Sequence, residues 1–283
     1  MDHAILLISC PDQKGITASV ANFVYVNGGN IIHADQHIDE QSDTFFMRIE
    51  WELAGFAFPR NRIGAHFAPL ARKFRMDWSL HFTKEVPRLA IFASKYLHCL
   101  QDLLWRQKAG QLPAQIVAVV SNHADAKKLA ENFRIPFYRF PITKKNKLAQ
   151  ERKQLALLKK KGVECIVLAR YGQILTEKFI RQYRHRIINI HHSFLPAFAG
   201  KSPYAQAYGK GVKIIGATSH YVIEALDEGP IIEQDTVRIS HRDSLQDLVR
   251  KGEDLEKMVL SRALRWHLER KILVYDNKTV VFS

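Results

Sequence analysis

Five consecutive apolar residues, Cys165-Ile166-Val167-Leu168-Ala169, leave a strand without a polar face. Such a strand is stable only with both faces covered, the condition at the centre of a parallel sheet flanked by helices. Leu89 to Ala93 and Gln115 to Val120 are similar apolar runs. Between the strands lie helical segments: one with Leu103 and Leu104, one from Asp125 to Phe133, and a long basic one from Lys144 to Lys161. This alternation predicts an α/β domain with a doubly wound, mostly parallel sheet. The next strand, Ile187-Ile188-Asn189-Ile190-His191, places Ile187, Asn189 and His191 on one face. A buried strand ending in Asn-x-His delivers an amide and an imidazole to its carboxyl end, where open α/β sheets bind ligands.

Further strands are expected at Ile214 to Val222 and Ile231 to Arg238, joined by the acidic loop Glu224-Ala225-Leu226-Asp227-Glu228-Gly229-Pro230. A helix from Ser244 to about Arg270 and a hairpin around Asp276-Asn277 close the chain. The N-terminal part reads differently. A strand from Ala4 to Cys10, a helix with Ile16, Val20, Phe23 and Val24, and a strand from Asn30 to Ile38 come first. A half-buried strand follows, alternating Phe45, Met47, Ile49 and Trp51 with Phe46, Arg48 and Glu50. After Pro59 come a helix and a last strand near Trp78 to Phe82. The order βαββαβ is the ferredoxin-like plan. Two domains are therefore expected, residues 1–83 and 87–283, a division natural for 283 residues.

The formal net charge of +14 favours anionic partners, but the basic residues are scattered, the densest group forming one helix face. Nucleic acid is not an expected partner. Three widely spaced cysteines, Cys10, Cys99 and Cys165, make neither a disulfide framework nor a zinc pattern. There is no basic leader and no apolar run long enough for a membrane helix, so a cytoplasmic location is expected. The sequence contains no G-x-G-x-x-G and no Walker A motif, which argues against dinucleotide and nucleoside triphosphate cofactors.

Asn189-Ile190-His191, Phe194-Leu195-Pro196 and, downstream, Leu226-Asp227-Glu228-Gly229-Pro230 resemble the formyltransferase-fold family that handles 10-formyltetrahydrofolate. Gly216-Ala217-Thr218 and His220 also match. The resemblance implies Asn189, His191 and Asp227 as the catalytic group. It implies Arg170, Tyr171, Gly172, Gln173, Ile174, Leu175, Val222, Leu226, His192 and Ser193 around the folate, with no cofactor and no metal. Cys10-Pro11-Asp12-Gln13-Lys14-Gly15-Ile16 and Gly28-Gly29-Asn30-Ile31 resemble an ACT module, a small regulatory domain that pairs sheet edges between chains. That likeness makes Asp12, Gly15, Asn30 and Ile31 candidates for binding an amino-acid effector such as glycine or methionine, and implies a homo-oligomer. Ser94-Lys95 and His98-Cys99-Leu100 stand where ribonucleotide-using members carry a Gly-rich phosphate loop, and His191-His192 replaces their His-Pro. Together with the fused first domain, this points to the branch that passes the formyl group to water, releasing formate for purine synthesis. Transfer to methionyl-tRNA or glycinamide ribonucleotide, or a non-catalytic amino-acid sensor, are the alternatives. His220 is expected as structural support. Gly172-Gln173 and the Gly200-Lys201-Ser202-Pro203-Tyr204 loop depart from the family pattern, and Gly172 is expected to loosen the wall around the pterin.

Overall fold

The computed structural model describes residues 2–197 and 203–283; Gly200, Lys201 and Ser202 of the divergent loop lie outside the described residues. The chain divides into two compact units. The first comprises Met1–Val86, Glu269–Tyr275 and Val280–Ser283; the second comprises Pro87–Leu268 and Asp276–Thr279. The expected run of the second domain to residue 283 does not hold, because most of the last fifteen residues count with the first unit.

The first unit runs β1 (His3–Pro11), α1 (Ile16–Val26), β2 (Ile31–Asp39), β3 (Thr44–Glu52), α2 (Arg60–Lys73) and β4 (Asp77–Phe82). Its sheet has the order β2-β3-β1-β4 with every neighbour antiparallel, the ferredoxin-like arrangement. Leu6, Ile8, Met47, Ile49 and Trp51 face Val20, Ile63 and Phe67 in its core. The opposite face departs from the half-buried expectation, since Phe46 and Arg48 are also buried. The cause is the C-terminal segment of the same unit. Phe46 packs 4.5 Å from the Tyr275 ring and beside Leu7, Val280 and Phe282. Arg48 Nε donates to the Arg270 carbonyl at 3.1 Å, and its Nη2 donates to Glu50 at 2.7 Å. No alternation within β3 could announce a cover arriving from more than 200 residues away.

The four effector candidates do not converge within one chain. The Asp12 amide bonds the Asp43 carbonyl just before β3, whereas the Asn30 carbonyl bonds the Glu52 amide at its far end. Those ends are about 27 Å apart at the usual rise of a strand. Helix α1 causes the separation, because it carries the chain back along the sheet before β2 begins.

The second unit runs β5 (Arg88–Ala93), α3 (His98–Lys108), β6 (Gln115–Ser121), α4 (Ala126–Asn132), β7 (Phe137–Arg139), α5 (Lys147–Lys160), β8 (Cys165–Ala169), α6 (Glu177–Gln182), β9 (Ile187–His191), α7 (Pro203–Lys210), β10 (Ile214–Tyr221), β11 (Ile231–Arg238) and α8 (Leu245–Leu268). Helix α7 has no counterpart among the expected elements. The sheet order is β11-β10-β9-β8-β5-β6-β7, parallel from β9 to β7, with β10 antiparallel to both neighbours. Cys165–Ala169 is buried throughout, next to the equally apolar β5. Phe92, Ile166, Leu168 and Ile187 pack against Leu158 of α5 and Phe179 and Ile180 of α6. Helix α8 lies against β9, β10 and β11 and touches α3 and α7. Ser244 caps it, its hydroxyl accepting from the Asp247 amide while Asp247 accepts from the Ser244 amide. The closing hairpin joins β12 (Ile272–Tyr275) to β13 (Lys278–Val281) through Asp276 and Asn277, both at positive φ, as its two-residue turn requires. Among the described residues no helix is long and apolar enough to cross a membrane.

A covered outer face makes Phe46 a core residue. Phe46→Ala should destabilise the first unit by about 3–4 kcal/mol, measured by denaturant unfolding monitored by near-UV circular dichroism. A loss within about 0.5 kcal/mol would be the behaviour of a solvent-facing side chain.

Candidate active site

Asn189 and His191 lie on one face of β9, at the carboxyl end of the parallel array. Pairing with β10 places His220 opposite Asn189 and Thr218 opposite His191. The Asn189 amide nitrogen lies 3.2 Å from His220 Nε2. His220 Nδ1 meets the Tyr221 carbonyl at 3.0 Å, and a carbonyl only accepts, so the proton is on Nδ1. With neutral His220, Nε2 is then an acceptor for Asn189. This fixes the orientation of the Asn189 amide and leaves its second N–H for a ligand. His220 thus holds the Asn189 amide from the neighbouring strand.

The β10–β11 connection brings Asp227 onto the same face. Asp227 Oδ2 is 3.1 Å from His191 Nδ1, and Oδ1 is 3.6 Å from His220 Nε2. Two backbone features allow this. Asp227 has a φ of +57°, a left-handed conformation that Asp adopts more readily than most residues. At Gly229 an added Cβ would lie 1.8 Å from the Tyr221 carbonyl oxygen, so only glycine lets the connection lie this close to β10. The Asp-Glu-Gly sequence is therefore more than a plain turn.

The hydrogen bond from His191 holds the Asp227 carboxyl well below its ordinary range against the opposing effect of partial burial. It is an anion throughout the working pH range and a weak base. His191 is 6% exposed, and its Nε2 has no hydrogen-bond partner among the described residues. An imidazole with one nitrogen held by a carboxylate and the other unpaired is set to exchange a proton with a ligand. His192 behaves differently: burial, then the Arg170 charge, lower its pKa to about 3, so it stays neutral.

These groups line a cavity of about 420 Å³. Its opposite wall is the segment after β8, Arg170 to Leu175, held at several points. The Gly172 amide donates to Ser94 Oγ at 3.0 Å, and Ser94 donates to Asn122 at 2.6 Å, tying the ends of β5, β6 and β8 together. Gln154 donates to Tyr171 Oη at 3.3 Å, and Glu151 accepts from the Thr176 amide at 3.1 Å. Arg170 has a φ of +60°. Such conformations persist where the surroundings over-determine them, which these tethers do.

Arg170, Tyr171, Gly172, Gln173, Ile174, Leu175, Val222, Leu226 and His192 all line this cavity, as do Asn189, His191 and Asp227. Ser193 does not; it is buried against a separate cavity of about 160 Å³ with Phe194 and Tyr204. The alternation of β9 ends at His191, so the position of Ser193 could not be read from it. At Gly172 an added Cβ would meet Ser94 at an ordinary 3.7 Å, so the wall there is open but its backbone is anchored. Tyr96, Leu168 and Ile180 also line the cavity. Sequence reading missed them, and for the apolar pair no signal distinguishes a cavity wall from core. For His220 a signal exists: Thr218-Ser219-His220 is a polar run inside an otherwise buried strand.

One further cluster adjoins the site. His98, Cys99 and Glu256 bring donor atoms within 4.8 Å of one another. Glu256 is fully buried and accepts from Tyr204 Oη at 2.6 Å and His98 Nε2 at 2.8 Å, with Arg170 Nε at 3.4 Å. Burial would raise its pKa, but the His98 hydrogen bond and the Arg170 charge outweigh that, and Glu256 stays ionised. The Arg170 guanidinium and the His98 imidazole offset the buried carboxylate charge of Glu256.

Residues 87–264 match the Formyl transferase family. A curated relative from Synechocystis sp., a formyltetrahydrofolate deformylase, is 55% identical over 280 residues, covering 99% of this chain and 98% of its own. The crystal structure of a formyltetrahydrofolate deformylase from Pseudomonas syringae pv. tomato superposes with a TM-score of 0.98 at 47% identity, covering 100% of this chain and 95% of that one. A glycinamide ribonucleotide transformylase from Symbiobacterium toebii superposes with a TM-score of 0.67 at 26% identity, covering 72% of this chain and 98% of its own. Similarity at this level extends through the ferredoxin-like unit as well as the catalytic one, and the chain belongs to the formyltetrahydrofolate deformylase family.

Proposed function

We propose that the protein hydrolyses 10-formyltetrahydrofolate to formate and tetrahydrofolate, with Asn189, His191 and Asp227 as its catalytic group. The observation that carries this reading is His191, with Nδ1 on an ionised carboxylate and Nε2 unpaired in a cavity large enough for a pterin. Water attacks the formyl carbon while His191 Nε2 takes its proton. The free N–H of Asn189 stabilises the oxyanion, an effect worth about 3–4 kcal/mol for a well-placed donor. The C–N bond then breaks, N10 receives the proton from His191, and formate leaves. Asp227 orients the ring and stabilises its cationic form; its low basicity argues against the role of proton acceptor from water. Backbone groups of Arg170 to Leu175 and Val222 to Leu226 read the pterin edge. The substrate supplies the one-carbon unit, so the reaction needs no cofactor. Water as the acceptor accords with the deformylase relatives and is favoured over transfer to methionyl-tRNA or glycinamide ribonucleotide.

We further infer that the protein works in the cytoplasm, where its formate feeds purine synthesis, and that the ferredoxin-like unit makes a homo-oligomer through its sheet edge. Strand β2 is an edge strand, with Ile32 and Ile38 about 40% exposed. Asp12 and Gly15 from one chain with Asn30 and Ile31 from another are the candidate site for glycine or methionine. Sedimentation of a monomer, or titration of either amino acid without heat, would overturn these two inferences.

Incubated with 10-formyltetrahydrofolate and no acceptor, the wild type should release formate. Asp227→Asn should lose about 10³- to 10⁴-fold in kcat, the scale seen when an orienting carboxylate is neutralised, with folate affinity changed far less. Asn189→Ala should lose about 10²- to 10³-fold. Because His192 is neutral down to about pH 3, His192→Asn should leave the shape of the pH–rate profile between pH 5 and pH 8, roughly the histidine range, unchanged; a shifted acid limb would assign that limb to His192. Folding lowers the Asp227 pKa below its ordinary 3.8, so its stabilising contribution is complete above that value and lost as pH falls through the folded value. The melting-temperature gap between wild type and Asp227→Asn should therefore be constant near neutral pH and close only below about pH 4.

A further inference from the structure

A second cavity, of about 510 Å³, adjoins the folate cavity and shares Tyr96, Arg170 and His192 with it. A reaction whose acceptor is water does not need a second chamber of that size. A transferase does, and the Symbiobacterium relative is named for an acceptor, a ribonucleotide, that carries a phosphate. An anionic acceptor placed here would need cations at the chamber wall. Among the described lining residues, the guanidinium of Arg170 is already engaged by one side chain of α8, Glu256. Both oxygens of Glu256 are occupied, by Tyr204 from α7, by His98 at the start of α3 and by Arg170 after β8. Glu253, one turn earlier, adds a second carboxylate 3.7 Å from His98 Nδ1. Arg170 is held further by Tyr96, whose ring centroid lies 5.2 Å from the guanidinium carbon. The cluster is built into the backbone as well: an added Cβ at Gly252 would lie 2.2 Å from the Tyr204 ring, so glycine lets α8 come close enough for Glu256 to reach its partners.

We propose that Glu256 is a specificity-determining residue, a built-in carboxylate that occupies the cations an anionic formyl acceptor would use and so leaves the second chamber to water. The inference deepens the deformylase reading and rests on it. Glu256 touches neither the formyl group nor the attacking water. It acts through the charge it places in the chamber and through Arg170, which it holds in the wall shared by the two cavities.

Ribose 5-phosphate is the probe, titrated calorimetrically into the full-length wild type, Glu256→Gln and Glu253→Gln, and added to formate-release assays of each. The wild type should show no binding and no inhibition. Glu256→Gln should bind the probe at least about tenfold more tightly than the wild type, because removal of the carboxylate frees the Arg170 charge for the probe, and its formate release should become sensitive to the probe. Glu253 is far more exposed and tolerates substitution, so Glu253→Gln should shift affinity in the same direction by a smaller factor even if Glu256→Gln fails to fold. Binding of the probe by the wild type, or no shift in a folded Glu256→Gln, would overturn the proposal. So would no shift in Glu253→Gln where Glu256→Gln does not fold. A wild type that releases no formate would instead overturn the deformylase reading, a result the calorimetric comparison does not depend on.

Discussion

The site depends on one strand reversal. Strands β5 to β9 run parallel, and β10 then pairs antiparallel with β9, with His220 opposite Asn189. In a parallel pair the next strand would leave the sheet at the same end as β9. Here β10 runs back along β9, and its connection to β11 must fold over the face that carries Asn189 and His191. That fold-over delivers Asp227 to His191. The same pairing supplies His220, which orients the Asn189 amide from the neighbouring strand. The two donors and the carboxylate are thus set by sheet register, and register is costly to change, because a slip of one residue turns every side chain to the other face.

Around this frame the protein applies constraint unevenly. The cavity wall from Arg170 to Leu175 is tied by Ser94 at the end of β5 and by Gln154 and Glu151 of α5. Preorganisation of this kind lowers the cost of holding a ligand, since the polar edge of a pterin meets groups that need not move. Polar groups with unmet hydrogen-bonding capacity remain where a ligand can use them, at His191 Nε2 and the second N–H of Asn189. Elsewhere in this unit the buried carboxylate of Glu256 is paired on both oxygens. Asp227 and Glu256 are both ionised, but they differ in what they face. Asp227 faces an imidazole whose other nitrogen is unpaired among the described residues, and Glu256 has a ring of structural donors.

By itself the sequence determined the two domains' fold classes and the placing of Asn189 and His191 on one face of a strand. Fully apolar strands alternating with helical spacings admit few architectures other than a covered parallel sheet, and Asn189-Ile190-His191 on one strand must present both side chains to one face. The ferredoxin-like order of the first unit followed from the same local periodicities. These are short-range properties, set by which faces of a strand or helix are apolar. What only the tertiary structure decided were relations between residues distant in the chain. The outer face of β3 looked half-exposed because its cover, near Tyr275, arrives more than 200 residues later. Asp12 and Asn30 looked like neighbours in a motif, yet α1 sends them to opposite ends of the sheet. Ser193 adjoins the catalytic strand but turns away once the strand's alternation ends. Glu256 has no motif at all, and its meaning comes from His98, Arg170 and Tyr204 converging on it from three other elements. Periodicity records which way a side chain points from its own backbone; it carries no record of what will be packed against it.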